Sequence, residues 1–518
     1  MSFQNLSYFL FLPLMAVGYL RVVPKRAQTA FLLAGNLFFY WLNRPSSESF
    51  SLAWQLLPLV LLCLCCVFVW RMGLAIHAAH SRKQKSRLLA VAIGLLLAVL
   101  AVFKYYNLAS AWLPFAPQLV QKLPFPLGIS FYTFAALSYL LDVYRQDMPP
   151  ERSLLHLSAG LTLFASITAG PICRARQLLP QLHQPHSFDT QRTVHALQLF
   201  CLGLFKKVAV ADLLFMYVTP IYQNSAQHGG LSLLVATAAY TLYLYFDFVG
   251  YSQMARASAL LMGLEIPENF KTPFFSTNFS GFWSRWHISL SSWLQDYLFT
   301  PLVWADASKL PLIGRKITRF SPIFCVFVVF FVSGFWHGNT LPFVIWGLLQ
   351  AFYRVGEELL HQRLGKPKKK APAPQQWAKR AGVFALWSFS MVFFAVGSGV
   401  TSTTRLSECF TILGGLFQGL SPVRFMQESI QAVYTGFYAN ALMAGGWLAL
   451  LTFSLGLAFW LDWQRNFHFK NKSEELVLRS QKPLVRWLLY YALVLACFAG
   501  LVAQSGGFGG GSFAYGGF

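Results

Sequence analysis

Apolar runs close to the length of a bilayer-spanning helix recur from one end of this chain to the other. They fall at 6–20, 27–42, 51–70, 88–103, 128–144, 197–219, 231–262, 381–400, 441–461 and 488–503, with two shorter ones at 321–335 and 341–353. The hydrocarbon layer is about 30 Å thick, so about 20 apolar residues in a helix cross it. Only 11% of residues are charged, against 56% hydrophobic and 17% aromatic. A soluble globular chain carries charge on about a quarter of its residues, so this chain has too little polar surface for water. A lipid-embedded backbone must satisfy its own hydrogen bonds, which a spanning helix does internally. The expectation is an all-α integral membrane protein of about a dozen transmembrane helices with re-entrant segments. No stretch is long and polar enough for a separate soluble domain, so 1–518 reads as a single multi-spanning unit. The first run, Tyr8 to Leu20, has no small-residue cleavage site before Arg21 and reads as a span, not a removed signal peptide.

The formal charge of +23 arises from Lys and Arg in short segments between apolar runs. Such charges mark cytoplasmic loops and argue against a nucleic-acid partner. The loops 71–87, 361–380 and 462–487 are expected on the inner side, with both termini outside. The segment 154–172 is apolar, but it has basic flanks and ends in TAGP, which suits a re-entrant loop. Counting crossings then places 264–320 on the inner side, with Lys271, Arg285, Arg315, Lys316 and Arg319. The runs 321–335 and 341–353 return to the basic loop 361–380, so the turn WHGNT between them is expected within the membrane. None of the cysteines shows metal-ligand spacing, and no metal is expected.

Two histidines, His287 and His337, sit among tryptophans in this region. The surrounding sequence YFDFVGYSQMARASALLMGLEIPENFKTPFFSTNFSGFWSRWHISLSSWLQDYLFTPL at 245–302 resembles the signature of the membrane-bound O-acyltransferases, in the branch that contains bacterial alginate O-acetylases. GFWHG at 334–338 resembles the catalytic-histidine motif of that family, while AGPICR at 169–174 and GLFKKVAVADLL at 203–214 resemble two upstream motifs. The motif core is therefore 169–342. The resemblance implies a membrane acyltransferase fold with His337 at its centre.

Moving an acyl group from a thioester to a hydroxyl needs a base, a site for the developing oxyanion, and exclusion of water. Histidine suits the first task near neutral pH. His337 is the expected base; the alternative is a hydrogen-bonded packing residue. Gly334 and Gly338 flank it and would let a substrate approach the backbone. If 280–299 is one helix, Trp286, Leu290, Trp293 and Tyr297 share a face next to His287, and Arg285, Ser289, Ser292 and Asp296 share another. His287 then lines the acyl path or orients a partner, or else belongs to an interfacial helix anchored by its aromatics. Trp286, Trp336, Asp247 and Asp296 are candidates to line that path or orient a histidine. Arg174, Lys206, Lys207, Lys271 and Arg285 are candidates for the phosphates of an acyl-CoA donor, the alternative being purely topological charges. No GxSxG, HExxH, Walker A or dinucleotide motif is present.

The expected activity is O-acetyl transfer from cytoplasmic acetyl-CoA, a substrate and not a bound cofactor, toward an exported polysaccharide. By resemblance alginate leads, with cellulose, peptidoglycan and D-alanylation of teichoic acid as neighbours. A transporter or flippase is the alternative from another class, since broken helices also describe carriers, but no inverted halves are visible. The expected setting is the bacterial cytoplasmic (inner) membrane. The longest outer loop, 401–440, carries only Arg405, Glu408, Arg424 and Glu428 as charges. Such loops are too short for a polymer cleft, so a separate periplasmic acetyl-accepting protein is expected as a partner.

Overall fold

The computed structural model describes residues 3–44, 52–110, 124–306, 319–365, 372–437 and 441–505. Arg315, Lys316, most of the Lys- and Pro-rich stretch of the 361–380 loop, and the glycine-rich tail 506–518 lie outside them. Every regular element among the described residues is a helix.

Six helices are long and apolar enough to cross a bilayer: Trp54–Ala78, Arg82–Tyr105, Gly230–Leu261, Ala373–Gly397, Ala444–Phe467 and Pro483–Ala503. Six of the expected crossings thus appear as single long helices. The other expected crossings are shorter or segmented among the described residues. Gln28–Leu42 has 15 residues, Ile129–Arg145 has 17 and Pro322–His337 has 16. The run at 197–219 is helical throughout, but a π-helical turn, Lys206–Ala211, divides it. The arm expected at 341–353 continues to Leu364, because Arg354, Glu357, Glu358 and Arg363 carry on its helical pattern in polar form.

Two compact units make up the chain, Met1–Phe200 with Tyr251–Glu268, and Cys201–Gly250 with Asn269–Gly517. In the first, the segment 154–172 forms two short helices, Leu154–Leu161 and Phe164–Ile167. Neither is long enough to cross a bilayer. Asn36 explains how the break between them is tolerated: its Nδ2 donates to the Ala159 carbonyl at 3.1 Å and its Oδ1 accepts the Phe164 N–H at 3.0 Å. A buried side chain thereby satisfies backbone groups that the helix leaves open. Arg174 is buried in this unit and leads into the helix Ala175–Leu182.

The second unit contains both histidines and a buried ionic network. Lys206 and Lys207 are adjacent on the π-helical turn, so their side chains leave in different directions. Lys206 Nζ lies 2.6 Å from Glu474 and 3.7 Å from Asp462. Lys207 Nζ lies 2.7 Å from both Asp212 and Asp247. Tyr245 donates to Asp462 at 2.7 Å, and Arg465 approaches Glu474 at 4.0 Å. The glycines permit this density. A Cβ on Gly250 would come within 2.6 Å of the Gly203 carbonyl, and one on Gly500 within 2.5 Å of the Val208 carbonyl.

Candidate active site

His337 is the last residue of helix Pro322–His337, which begins with Ser321 accepting the Phe324 N–H at 3.2 Å and Pro322 in the first turn. The chain turns at Gly338 and re-enters as helix Leu341–Leu364. The two helices touch at Gly334 and Gly347: a Cβ on Gly334 would lie 2.5 Å from the Phe343 carbonyl and 3.2 Å from the Gly347 Cα. A Cβ on Gly338 would collide with the buried Phe343 ring. The glycines beside His337 therefore make room for the second helix and an aromatic ring. This corrects the expectation that they open the backbone to substrate.

The His337 ring is buried in an aromatic box. Its centroid lies 4.9 Å from Trp336, 5.0 Å from Trp346 with the planes perpendicular, 5.2 Å from Phe394 and 6.3 Å from Phe343. Such walls exclude water, as transfer from a hydrolysable thioester requires.

His287 does not sit on a continuous helix. The expected helix over 280–299 is broken into Phe279–Trp283, Ile288–Leu294 and a π-helical turn Gln295–Phe299, and His287 occupies the break with φ 43° and ψ 53°. A left-handed non-glycine residue costs about 1–3 kcal/mol and persists only where its surroundings fix it. Asn269 supplies that fixation: its carbonyl accepts the Ile288 N–H at 3.0 Å and its side chain accepts the Ser289 N–H at 3.3 Å. The face read from the sequence is nonetheless buried, with Trp286, Leu290, Trp293 and Tyr297 all inside. Ser289, assigned to the other face, is buried too.

The His287 ring packs perpendicular to Phe248 at 4.7 Å and lies 6.4 Å from Trp336. Trp336 is thus the shared neighbour of both histidines. One stretch of helix Gly230–Leu261 links this site to the ionic network, since Tyr245 reaches Asp462, Asp247 reaches Lys207 and Phe248 reaches His287.

The remaining candidates separate. Trp286 packs on Trp387 at 4.9 Å and stacks on Phe282 at 5.5 Å, within the same aromatic core. Asp296 lies half-buried on the π-helical turn. Lys206, Lys207 and Asp247 are buried in the ionic network, Lys206 paired with Asp462 and Glu474, and Lys207 with Asp212 and Asp247. Lys271 is exposed, and its N–H donates to the Arg285 carbonyl at 3.0 Å. Arg285 is half-buried and donates to Asn466 at 3.0 Å; burial and then the nearby Arg380 charge lower its pKa. Arg380 donates to the Phe275 carbonyl at 3.1 Å and lies over Trp377 at 4.6 Å.

Sequence reasoning missed Phe248, Trp346, Trp387, Phe394 and Arg380. Phe343, Trp346 and Gln350 follow one another at three- and four-residue steps, a helical stripe that was readable. Trp283, Trp346 and Trp387 pack as a mutual triangle with centroids 5.5 to 6.3 Å apart. Their three indole N–H groups are buried with no acceptor among the described residues, as is the Gln350 Oε1 with no donor. Each such group costs about 1–3 kcal/mol if nothing pairs with it.

Comparison with known proteins agrees with this arrangement. Residues 49–396 match the model of the MBOAT, membrane-bound O-acyltransferase family. The "Probable alginate O-acetylase AlgI" of Azotobacter vinelandii is 36% identical over 354 residues, 66% of this chain and 66% of that relative. The protein of the same name from Pseudomonas putida is 31% identical over 423 residues, 80% of this chain and 79% of the relative. A "Peptidoglycan O-acetyltransferase" of Helicobacter pylori is 28% identical over 379 residues, 66% of this chain and 68% of the relative. The buried histidines His287 and His337, the helical hairpin that carries His337 and four of the six bilayer-length helices fall in or at the edge of the matched region: the chain belongs to the membrane-bound O-acyltransferase family.

Proposed function

We propose that this chain is the acetyl-transferring component of polysaccharide O-acetylation in the bacterial inner membrane. It takes acetyl from cytoplasmic acetyl-CoA and delivers it toward an exported polymer, with alginate as the first acceptor to test. The observation that carries this reading is the convergence of the buried His337 and His287 on Trp336 within an aromatic cluster. His337 acts as the base. It takes the proton of the attacking hydroxyl, a C–O bond forms at the acetyl carbon, the C–S bond breaks, and the proton passes to the departing thiolate. His287, held by Asn269 and Phe248, positions the reacting groups. Of the basic candidates for the phosphates of the donor, Lys271 and Arg285 are the more exposed.

The acceptor side favours a relay through an outer protein, one that offers a serine hydroxyl and then completes transfer to the sugar. Three of the four charges in 401–440 are spent on internal contacts. Glu408 accepts from Ser225 at 2.6 Å, Glu428 accepts from the Gly229 N–H and Ser232, and Arg424 binds Glu428 and the Gln227 carbonyl at 2.6 Å each. Little of that charge is left to contact a glycan. Reconstitution tests the reading: chain in vesicles, acetyl-CoA on one side and alginate on the other, with and without a periplasmic fraction. Acetylation of the polymer only when the fraction is present is expected. Efficient acetylation by the chain alone removes the partner, and no acetyl movement in either arm removes the function.

A further inference from the structure

The apolar helix Leu6–Val22 runs antiparallel to helix Thr190–Phe205 within the first compact unit, and the two do not close on each other. A groove of about 520 Å³ is left between them. Phe9, Pro13, Ala16 and Val17 follow one another at helical steps along one wall, and Thr193 and Leu197 do so along the other. Val17 is 55% exposed and Leu197 56%, so the groove opens outward, on the side where apolar surface meets lipid. Phe9 and Phe200 meet at one end, with ring centroids 5.8 Å apart. From Phe9 to Arg21 the groove follows about 18 Å of helix, the reach of a long acyl chain.

The opposite end is cationic. Arg21 lines the groove and lies over the Phe188 ring at 4.3 Å. Arg192 donates to the Ser187 carbonyl, so two guanidinium groups bracket the turn at Ser187 and Phe188. Lys25 and Arg26 follow Arg21, both exposed, on the short turn Lys25–Ala27. Asp189 is the carboxylate of this stretch, and it already accepts the Arg192 N–H at 2.5 Å where the second helix begins. Arg21, Lys25, Arg26 and Arg192 therefore stand against a single, engaged carboxylate.

An apolar groove left empty forfeits dispersion contacts along both walls, and a hydrocarbon chain restores them. Arginine at the end of such a groove binds phosphate through paired N–H groups. The excess of positive charge favours a headgroup of net negative charge over a zwitterionic one. Free phosphate would leave the apolar walls unused, and an apolar helix from a second copy would leave the cations unmet. We infer that this groove is a binding site for an anionic glycerophospholipid of the surrounding membrane, with an acyl chain along Pro13, Ala16 and Val17 and its phosphate at Arg21. The lipid braces the first helix against helix Thr190–Phe205. This inference is independent of the acyl-transfer reading.

The test titrates the full-length chain in detergent with phosphatidylglycerol or with phosphatidylcholine of identical acyl chains. Native mass spectrometry counts bound lipid, and the thermal midpoint is followed in parallel. The wild type should bind phosphatidylglycerol several-fold more tightly and gain midpoint from it. Arg21→Gln should cost about fivefold in affinity for phosphatidylglycerol and leave phosphatidylcholine unchanged. Arg21→Lys should keep part of the preference, since it retains the charge but not the paired N–H geometry. Ala16→Trp fills the groove and should weaken both lipids. Lys83→Gln removes an exposed charge at the start of helix Arg82–Ser110 and should leave the preference intact. If Ala16→Trp fails to fold, the comparison of Arg21→Gln with Lys83→Gln carries the test. Equal losses at those two positions, or no headgroup preference in the wild type, would reduce the groove to ordinary contact with bulk lipid and overturn the proposal. A lipid-free dimer that Ala16→Trp abolishes would make the occupant a second copy and overturn it as well.

Discussion

Gly334 and Gly347 meet across the helical hairpin so closely that a Cβ on Gly347 would lie 3.0 Å from the Gly334 Cα. His337 is one turn beyond Gly334 on the same helix, so the distance between the two helices fixes where its ring sits. Overpacking at such a contact costs about 1–3 kcal/mol. Gly347→Ala should therefore lower the thermal midpoint in detergent and reduce acetyl transfer. Gly356 provides the control, since nothing lies within 4 Å of a Cβ there. Gly356→Ala on the same helix should leave the midpoint unchanged or raise it. If both substitutions behave alike, the hairpin contact does not govern the site.

The two histidines should separate by the type of substitution they accept. His337→Ala removes the base and should cost about 10²–10⁴ in rate while membrane insertion is retained. His287 holds a left-handed backbone, a conformation that Asn tolerates better than most residues. His287→Asn should keep the fold and lose less activity than His337→Ala, whereas His287→Val should also lose folded protein. Single-turnover transfer with purified chain measures the first comparison, and size-exclusion profiles measure the second. A larger loss at His287→Asn than at His337→Ala would reverse their roles.

Removing one member of a buried ion pair leaves the other unpaired and costs about 3–5 kcal/mol. Asp247→Ala leaves Lys207 paired with Asp212, whereas Lys207→Met strands charge on both Asp212 and Asp247. Lys207→Met should therefore reduce the yield of folded protein sharply, and Asp247→Ala less. The acetyl-CoA KM of whatever folds should stay near the wild-type value. A KM rise at Lys207→Met with normal yield would return this lysine to a donor-binding role.

The reasons for what was and was not legible lie in particular residues. Periodic apolar length identified the long helices, because burial in lipid demands an unbroken apolar stretch. It did not show the ion pairs of Lys206, because a motif names residue types and not the partner each one finds; Glu474 and Asp462 come to Lys206 from more than 200 residues away in sequence. The break at His287 was hidden for a similar reason. No proline or glycine marks it, and its cause is Asn269, which takes the amides that a continuous helix would have used internally. The helical stripe Phe343, Trp346 and Gln350 was present in the pattern, but the packing of Trp346 on Trp283 and Trp387 needed two other elements.

Glu428 ties helix Pro422–Phe437 to the start of helix Gly230–Leu261, accepting from the Gly229 N–H and from Ser232. Burial alone would raise its pKa, but hydrogen bonds from Ser232, Arg424 and the Gly229 N–H outweigh this and hold the carboxyl below its ordinary value of 4.5. A carboxyl whose folded pKa lies below its unfolded one contributes stability at pH above the unfolded value and loses it as pH falls through the folded value. The wild type should therefore keep its full thermal midpoint at neutral pH and lose part of it at pH below about 4.5. Glu428→Gln keeps the shape but replaces charge-assisted bonds with neutral ones, so it should be less stable at neutral pH. The two proteins should then converge as pH falls, because the wild-type carboxyl is protonated there and resembles the amide. Thermal midpoints of both in detergent across this range give the comparison. A constant difference at every pH would mean that the Glu428 charge does not hold the junction.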